Sequence, residues 1–464
     1  MWVIISAVTI WAQFGALGMP QTVMKFVAAS AAKGDKEELL EYVSSALSAV
    51  LFSGSVVILI LFIVKGVIAD FLHVPQELKT STPLFILFSG SIVFMDFMAR
   101  SVNSIQSGIG RMDLANLNEV AAKVLSAIFS VLLIYKGYGI WALFFGAMAN
   151  CLIMLVLGFI MSVYLLGFFP FSVKSIRWGR VRETVNFGGS LTAGALLAMF
   201  TEPFNRFILG QYVSLSAAAV YDVASRVVLQ VKGVLEGCFR PFVAQSSAYF
   251  TSGQDEKIRE LSRLSVRLVF LLGVPMFLVL IVWAPELMGL WLKGTVMPGI
   301  SYAFRGFAFA YVFSLMVTPA YYLFMGIGRK EVCFRVFLVF SISNSTLVLI
   351  GLFSGFVSLN VVINIFAFSL ILSSAYLMAT AYKSFGERYF VDYKNISYIA
   401  LAIVCISSFK FVGIIIGFHS IFNLIFIILS YLFYLGICYI AGLIPMNTIW
   451  SYLQDGKSGL KEIG

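Results

Sequence analysis

Charge is what this chain most lacks. Asp, Glu, Lys and Arg supply 12% of its 464 residues, against 60% hydrophobic ones. The surface of a soluble protein of this length needs about 25% charged residues, so a water-soluble globule is excluded. Histidine is nearly absent. His73 and His419 are the only two, which leaves no His-rich metal site. The five cysteines (Cys151, Cys238, Cys333, Cys405 and Cys438) fall in or beside apolar stretches with no CxxC spacing, and they read as buried thiols. No GxxxxGKS or GxxxxGKT occurs, so the chain does not hydrolyse nucleotide through a P-loop. There is no DxD, no long polar insertion, and no His, Cys or carboxylate cluster that supports catalysis. An enzyme is not expected, nor a cofactor, a metal or a nucleic-acid partner.

What the chain does have is apolar length. A bilayer crossing needs about 20 apolar residues per helix. Such stretches follow one another near 1–29, 41–66, 82–106, 117–136, 139–166, 184–211, 216–247, 262–291, 300–326, 331–354, 358–382, 396–415 and 421–443. The short alternating segments of a β-barrel are missing. The expected fold is therefore all-α, a polytopic membrane protein of about 13 spans. Lysine and arginine set its orientation. Seventeen, among them Lys33, Arg111, Arg177, Arg180, Lys257, Arg329, Lys383 and Lys457, lie on one side, and Lys65, Lys79, Lys136 and Lys293 lie on the other. The richer side and the C-terminus are expected to be cytoplasmic. An odd number of spans then puts Met1 outside, where the chain opens directly on the helix MWVIISAVTIWAQFGALG.

The tetrapeptide GIGR occurs at Gly108–Arg111 and again at Gly326–Arg329, 218 residues later. FVAAS at Phe26–Ser30 returns as FVAQS at Phe242–Ser246, and Gly34, Glu37, Glu41 and Gly54 match Gly253, Glu256, Glu260 and Gly273. Several matches in order at nearly one offset mark an internal duplication. The copies start an even number of spans apart, so both cross in the same sense. They are expected to be parallel repeats about an axis normal to the membrane, with a path between them. The organisation expected is a five-span bundle over 1–166, a basic cytoplasmic linker over 167–183, a six-span bundle over 184–382, two extra spans over 396–443 and a cytoplasmic tail over 444–464. The span at 184–211 has no partner in the first half. Repeat and charge both point to one further helix of about 30 residues ahead of Met1. GIGR itself has two readings, a helix-ending turn at the inner face or a substrate contact.

Ionisable residues inside the spans are the strongest functional signal. Span 7 reads YDVASRVVLQVKGVLEGCFRPF, and its Asp222, Arg226, Lys232, Glu236 and Arg240 share one helical face. Each charge costs about 3 kcal/mol near a helix centre, so that face is expected to line the bundle interior or a wet cavity. Span 6 adds Glu202, Asn205 and Arg206, and span 3 adds Asp96 and Arg100. Each acid stands one turn from a base, so pairing within a helix is the competing account. Eleven bases (Lys25, Arg100, Lys123, Arg206, Arg226, Lys232, Arg240, Arg267, Arg305, Arg335 and Lys410) stand in or at the edges of spans, against the acids Asp96, Glu119, Glu202, Asp222 and Glu236. A cavity with surplus positive charge suits an anion, and the arginine fork suits phosphate. The binding candidates are Arg206, Arg226, Lys232, Arg240, Arg100 and Asn205. Glu202, Asp222, Glu236 and Asp96 are expected as their charge partners or as coupling groups.

The order WVIISAVTIWAQFGALGMPQTVMKFVAASAAKGDKEEL, then NRFILGQYVSLSAAAVYDVASRVV, then the two GIGR turns resembles the bacterial polysaccharide transporters. These are the O-antigen and capsule repeat-unit flippases of the multidrug/oligosaccharidyl-lipid/polysaccharide exporter superfamily. The likeness covers most of the chain and is weakest over the last two spans. It implies two six-helix bundles around a V-shaped cavity, two extra C-terminal helices and both termini cytoplasmic. It further implies a flippase that carries an undecaprenyl-diphosphate-linked oligosaccharide across the bacterial cytoplasmic membrane by alternating access, with ion antiport as one drive. The partners implied are that lipid-linked substrate, membrane lipids, and polysaccharide polymerase or chain-length proteins. The sequence departs from the pattern in its first helix. Two alternatives stand beside this one: a cation-coupled multidrug exporter of the same superfamily, and a membrane scaffold that transports nothing.

Overall fold

The computed structural model describes residues 18–71, 82–139, 141–292, 297–386, 393–416 and 420–443, and these are almost wholly helical. In hydrocarbon every backbone polar group must be satisfied within its own segment, and long helices do this. The first bundle holds α1 (Met19–Lys33), α2 (Lys36–Phe71), α3 (Thr82–Gly108), α4 (Met112–Tyr135) and α5 (Trp141–Leu166). Then come α6 (Trp178–Tyr212), α7 (Leu215–Gly237), α8 (Pro241–Thr251), α9 (Asp255–Leu268), α10 (Val274–Val282), α11 (Ala284–Trp291), α12 (Ile300–Gly326), α13 (Lys330–Phe353) and α14 (Leu359–Phe385). The last pair is α15 (Tyr393–Ile416) and α16 (Ser420–Ile440). Among the described residues, 8 helical segments are long and apolar enough to cross a membrane. The charge-bearing α6 and α7 are not among them. The opening of the first expected span, at 1–17, and the expected tail at 444–464 lie outside the described residues.

The duplication is visible helix by helix. α3 and α12 each run 27 residues, and α4 and α13 each run 24. The two GIGR turns close with matching bonds. Arg111 N donates to Gln106 O and Arg329 N to Phe324 O, both at 2.9 Å. Gly110 sits at φ +85° and Gly328 at φ +87°, the left-handed geometry that ends a helix with glycine. The first glycine of each motif has a different duty. A Cβ on Gly108 would stand 2.8 Å from Val27 Cβ, and one on Gly326 would overlap Ser246 Oγ and Val243 O. Each therefore lets its long helix lie against the short helix of its own bundle, α1 or α8.

Those two short helices also join the bundles. α1 packs along α8, and Ser247 Oγ donates to Lys25 O at 2.8 Å. α6 belongs to both halves. Val181 and Val185 pack on the core of the first bundle, around Val43 and Ile105. Leu191, Ile208 and Leu209 join the core of the second.

Two expected spans differ from the structure. Span 7, expected as one helix over 216–247, is broken into α7 and α8. Pro241 lacks an N–H and its ring collides with the carbonyl four residues back, so the helix stops at Gly237 and restarts. Arg240 therefore sits in the connecting turn rather than on the face shared by Asp222, Arg226, Lys232 and Glu236. Span 8 starts earlier, at Asp255, and passes through a π-helical stretch over Val269–Gly273. Such a bulge leaves carbonyls without their usual partners. Tyr434 and Tyr431 of α16 donate to Leu271 O and Leu272 O, at 3.0 and 2.9 Å. Lys410 of α15 binds Glu286 and Val282 O. The C-terminal pair is held to the second bundle by these contacts.

Candidate functional site

Two consecutive helices deliver the intramembrane charge to one place. α6 carries Glu202 and Arg206 one turn apart, and α7 carries Asp222 and Arg226 one turn apart. The connection between the helices is two residues, Val213 and Ser214, and the Ser214 hydroxyl caps α7 by accepting from Ala217 N. This short turn brings the pairs face to face. Arg206 Nη1 donates to Asp222 Oδ1, and its Nη2 lies 3.7 Å from Glu202 Oε2. Arg226 Nε takes the other Asp222 oxygen at 2.8 Å. Tyr311 of α12 donates to Glu202 at 3.3 Å. Further along α7, Lys232 binds Glu236 at 2.7 Å, and its ammonium lies 5.3 Å above the Tyr311 ring.

These groups border a cavity of about 750 Å³ between α6, α7, α12, α13 and α14. Glu202, Arg206, Arg226 and Lys232 supply its ionised edge, Gln230, Ser314 and Ser373 its neutral donors and acceptors, and Tyr311, Phe337, Phe340 and Phe366 its aromatic wall. All of its lining comes from α6 onward. It lies within the second bundle, whereas the repeat led us to expect a path between the halves.

Asn205 is not part of that lining. It is fully buried behind it, donating to Tyr221 Oη at 3.0 Å and exchanging amide hydrogen bonds with Asn344 of α13. Thr201 and Ser341 add a second link between the same helices, at 3.2 Å. A buried amide needs partners on both atoms, and here they tie α6 to α13. Tyr311 was missed by sequence reasoning. It lies in a long apolar run with no charged neighbour, and only the fold brings it to Glu202.

A second charged wall stands on the first bundle. Asp96 and Arg100 of α3 pair at 2.7 Å, as do Glu119 and Lys123 of α4. The charges of Arg100 and Glu119 act on one another, which joins the two pairs. Arg240, at the α7–α8 break, interacts with Tyr322 of α12, and its charge acts on Glu119 of α4.

Each of the five intramembrane acids thus holds a base. The sequence tally of positive charge overstates what is free, because Arg100, Lys123, Arg206, Arg226 and Lys232 are all paired. Pairing within one helix accounts for five contacts, and the Arg206–Asp222 bridge adds a link between helices that spacing did not foretell.

At the end of the bundles that carries the GIGR turns, α1, α2 and α6 are bound by a stack of cations and rings. Lys25 lies 3.9 Å from the Phe26 ring, Phe26 stacks on Tyr42 at 4.3 Å, and Arg180 lies 4.3 Å from Tyr42 on α2. Arg180 also binds Glu38 at 3.1 Å and Glu41 at 3.4 Å, and Tyr42 donates to Glu183 at 2.9 Å. Arg177 joins Glu41 at 3.1 Å. Arg177 and Arg180, expected in the 167–183 linker, therefore fasten the start of α6 to the first bundle.

Fold and charge together describe a polytopic helical membrane protein of two repeated bundles with ionised groups inside. Solved transporters share this architecture. The chain matches a MATE structure in the bent conformation with a TM-score of 0.72 and 15% identity, over 82% of this chain and 86% of that one. It matches an outward-facing multidrug resistance MATE family transporter of the MOP superfamily with a TM-score of 0.70 and 15% identity, over 83% and 88%. For the D35N mutant of the Vibrio cholerae MATE transporter VcmN the values are 0.67 and 12%, over 84% and 89%. The fold is that of the MATE transporters. The family profile described as "Polysaccharide biosynthesis protein" matches residues 4–293, and the chain belongs to that family. It is also 22% identical over 324 residues to the "Uncharacterized membrane protein EpsK" of Bacillus subtilis (strain 168). That match spans 68% of this chain and 62% of the relative.

Proposed function

We propose that this protein is a flippase of the bacterial cytoplasmic membrane, moving an undecaprenyl-diphosphate-linked oligosaccharide repeat unit by alternating access between its two bundles. The observation that carries this reading is the cavity of α6, α7 and α12, whose ionised edge faces an aromatic wall inside a polysaccharide-biosynthesis membrane protein. Aromatic faces and fixed polar groups suit sugar rings. Arg206, Arg226 and Lys232 direct N–H donors toward hydroxyl or phosphate oxygens. Glu202, Asp222 and Glu236 hold those donors in place, and protonation of one of them would release its base, which is a route for coupling to an ion. The lysine and arginine asymmetry supports a cytoplasmic C-terminus. A reporter fused after Gly464 then reads cytoplasmic and one after Lys293 external, and the reverse result overturns the orientation.

The test is flipping of a fluorescent lipid-linked oligosaccharide in proteoliposomes that contain the purified protein. A charge-assisted contact contributes about 1.5–3 kcal/mol, so Arg226→Ala is expected to weaken binding roughly 10- to 150-fold while the protein still inserts. Arg226→Lys recovers part of it, since lysine lacks the fork. If Asp222→Ala/Arg226→Ala regains the transport lost in Arg226→Ala, the pair only neutralises itself and Arg226 has no substrate role. A second reading, a multidrug exporter, draws on the shared MATE fold. The balanced ion pairs speak against it, because a cation-binding cavity needs surplus acid. Efflux of an organic cation dye by these proteoliposomes, without movement of the lipid-linked sugar, would favour it.

A further inference from the structure

The link between α5 and α6 does not arch over the ends of the bundles. After α5 stops at Leu166, Gly167 turns the chain back with φ +73°. Phe169 then stacks on Phe159 of α5, with ring centroids 5.4 Å apart. Phe159 stands seven residues before the end of its helix, about 10 Å down at 1.5 Å per residue. Ser172 N donates to Ser44 Oγ at 2.9 Å and Arg177 N to Ser45 Oγ at 3.3 Å, both on α2. Ser44 comes eight residues after Lys36, the first residue of α2, so it lies about 12 Å along its own helix. Two helices thus set the tight turn Val173–Ser175 at one depth. There the charged start of α2, with Lys36, Glu37, Glu38 and Glu41, gives way to its apolar run. That is the level of the lipid head groups.

What the link shows to its surroundings fits that level. Phe168 and Phe171 turn onto the core of the first bundle. Val173 is 72% exposed and Trp178 80%, although both are apolar. The bases divide in two. Arg177 and Arg180 are held by Glu38 and Glu41. Lys174 and Arg182 are exposed and hold no acid among the described residues. Trp178 and Arg182 stand four residues apart on α6 and share one face. Exposed tryptophan with exposed bases beside the ends of spans is the composition of an interfacial anchor, and bases at that depth attract anionic lipid.

We propose that this link is a binding site for an anionic phospholipid of the adjoining leaflet. Val173 and Trp178 enter the leaflet just below the head groups, and Lys174 and Arg182 take the phosphate of one of them. The rest of the link is fastened to α2 and α5, so these four side chains are presented on a fixed backbone. α6 begins here and packs on the cores of both bundles. A lipid bound at its start therefore bears on the helix that joins them.

The experiment reads the fluorescence of Trp178 in nanodiscs, as the signal of the wild type less that of Trp178→Phe. Brominated acyl chains quench a tryptophan that they touch. The probes are brominated phosphatidylglycerol and brominated phosphatidylcholine, each diluted to the same low fraction in unlabelled phosphatidylcholine. Phosphatidylcholine carries the same phosphate but no net charge. Both are expected to quench Trp178, the phosphatidylglycerol far more strongly. Each base near a membrane surface favours anionic lipid about fivefold, so two give a preference of roughly 30-fold. Lys174→Gln/Arg182→Gln is expected to erase the preference and to leave quenching by phosphatidylcholine unchanged. Should that variant misfold, high salt is expected to weaken the preference in the wild type, because it screens exposed charge. If neither lipid quenches Trp178, the link stands in water and the proposal falls. It falls equally if the wild type does not distinguish the two lipids, or if the folded double variant keeps the preference.

Discussion

The two bundles share one scaffold and place their charge differently. The helices α3 and α4 of the first match α12 and α13 of the second in length, and the turns between them share three backbone bonds in the same order. At the GIGR offset, Asp96 and Arg100 correspond to Ser314 and Thr318, and Glu119 and Lys123 to Phe337 and Ser341. Ser314 and Phe337 line the second bundle's cavity, so the positions that are ionic on one side are neutral or aromatic on the other. The second bundle takes its ions from α6 and α7 instead. Glycine contacts and capping bonds fix how helices pack, and they leave little room to vary. Side chains that face an open space are not so constrained, and there the halves have diverged. The scaffold is thus repeated, while the two charged walls are not copies of one another.

The largest effect expected from this comparison falls on the close-approach glycines. A Cβ on Gly326 would overlap the Val243 carbonyl and the Ser246 hydroxyl. Backbone cannot move aside, so Gly326→Ala is expected to cost about 3 kcal/mol, the upper end for overpacking. A Cβ on Gly108 would meet Val27 at 2.8 Å and Met24 O at 2.9 Å. These approaches are shallower than the overlaps met at Gly326, and at either glycine alanine returns up to about 1 kcal/mol of helix propensity. The net cost of Gly108→Ala is then about 1 kcal/mol. Thermal unfolding of both variants in detergent measures the order. An equal or reversed order means that α8 does not brace α12 more tightly than α1 braces α3.

A smaller difference separates the third glycines. Gly110 and Gly328 have nearly the same positive φ, and alanine in that region costs about 1–2 kcal/mol at either. A Cβ on Gly328 would also approach the Lys25 side chain to 3.3 Å. Lysine is flexible, so Gly328→Ala is expected to exceed Gly110→Ala by a few tenths of a kcal/mol. Lys25→Ala should remove that excess, and if the excess persists the contact is not its cause.

Much of this was legible before any coordinates. The apolar runs gave helices, since hydrocarbon allows little else. The repeated GIGR and FVA segments gave the duplication, because a motif that ends a helix keeps its glycines wherever it is copied. The one-turn spacing of Asp222–Arg226 and Lys232–Glu236 gave their pairing. What was not legible depended on partners distant in sequence. Arg206 prefers Asp222 of the next helix as well as Glu202 on its own, which spacing along one helix does not reveal. Asn205 adjoins Arg206 in sequence yet points the other way, into Asn344. The break ahead of Pro241 was readable from proline chemistry, but the five charges of span 7 invited a continuous helical face.

The smallest net effect is expected from making the first bundle resemble the second. The double change Asp96→Ser/Arg100→Thr removes an ion pair and installs the residues found at the corresponding positions of α12. Arg100 is 44% exposed and Asp96 26%, so the pair is neither fully buried nor fully solvated. Exposed pairs contribute about 0–1 kcal/mol, and replacing a buried pair as a unit is often neutral. The double variant is therefore expected to unfold within about 1 kcal/mol of the wild type. Arg100→Thr alone is different, because it leaves Asp96 without its base beside the Cys151 thiol. An uncompensated charge costs more than an absent pair, so the single variant should be less stable than the double. That inversion is the signature of a self-neutralising pair. If the double variant is instead the less stable, Asp96 and Arg100 each hold something beyond one another, and the first wall cannot be treated as a neutral counterpart of the second.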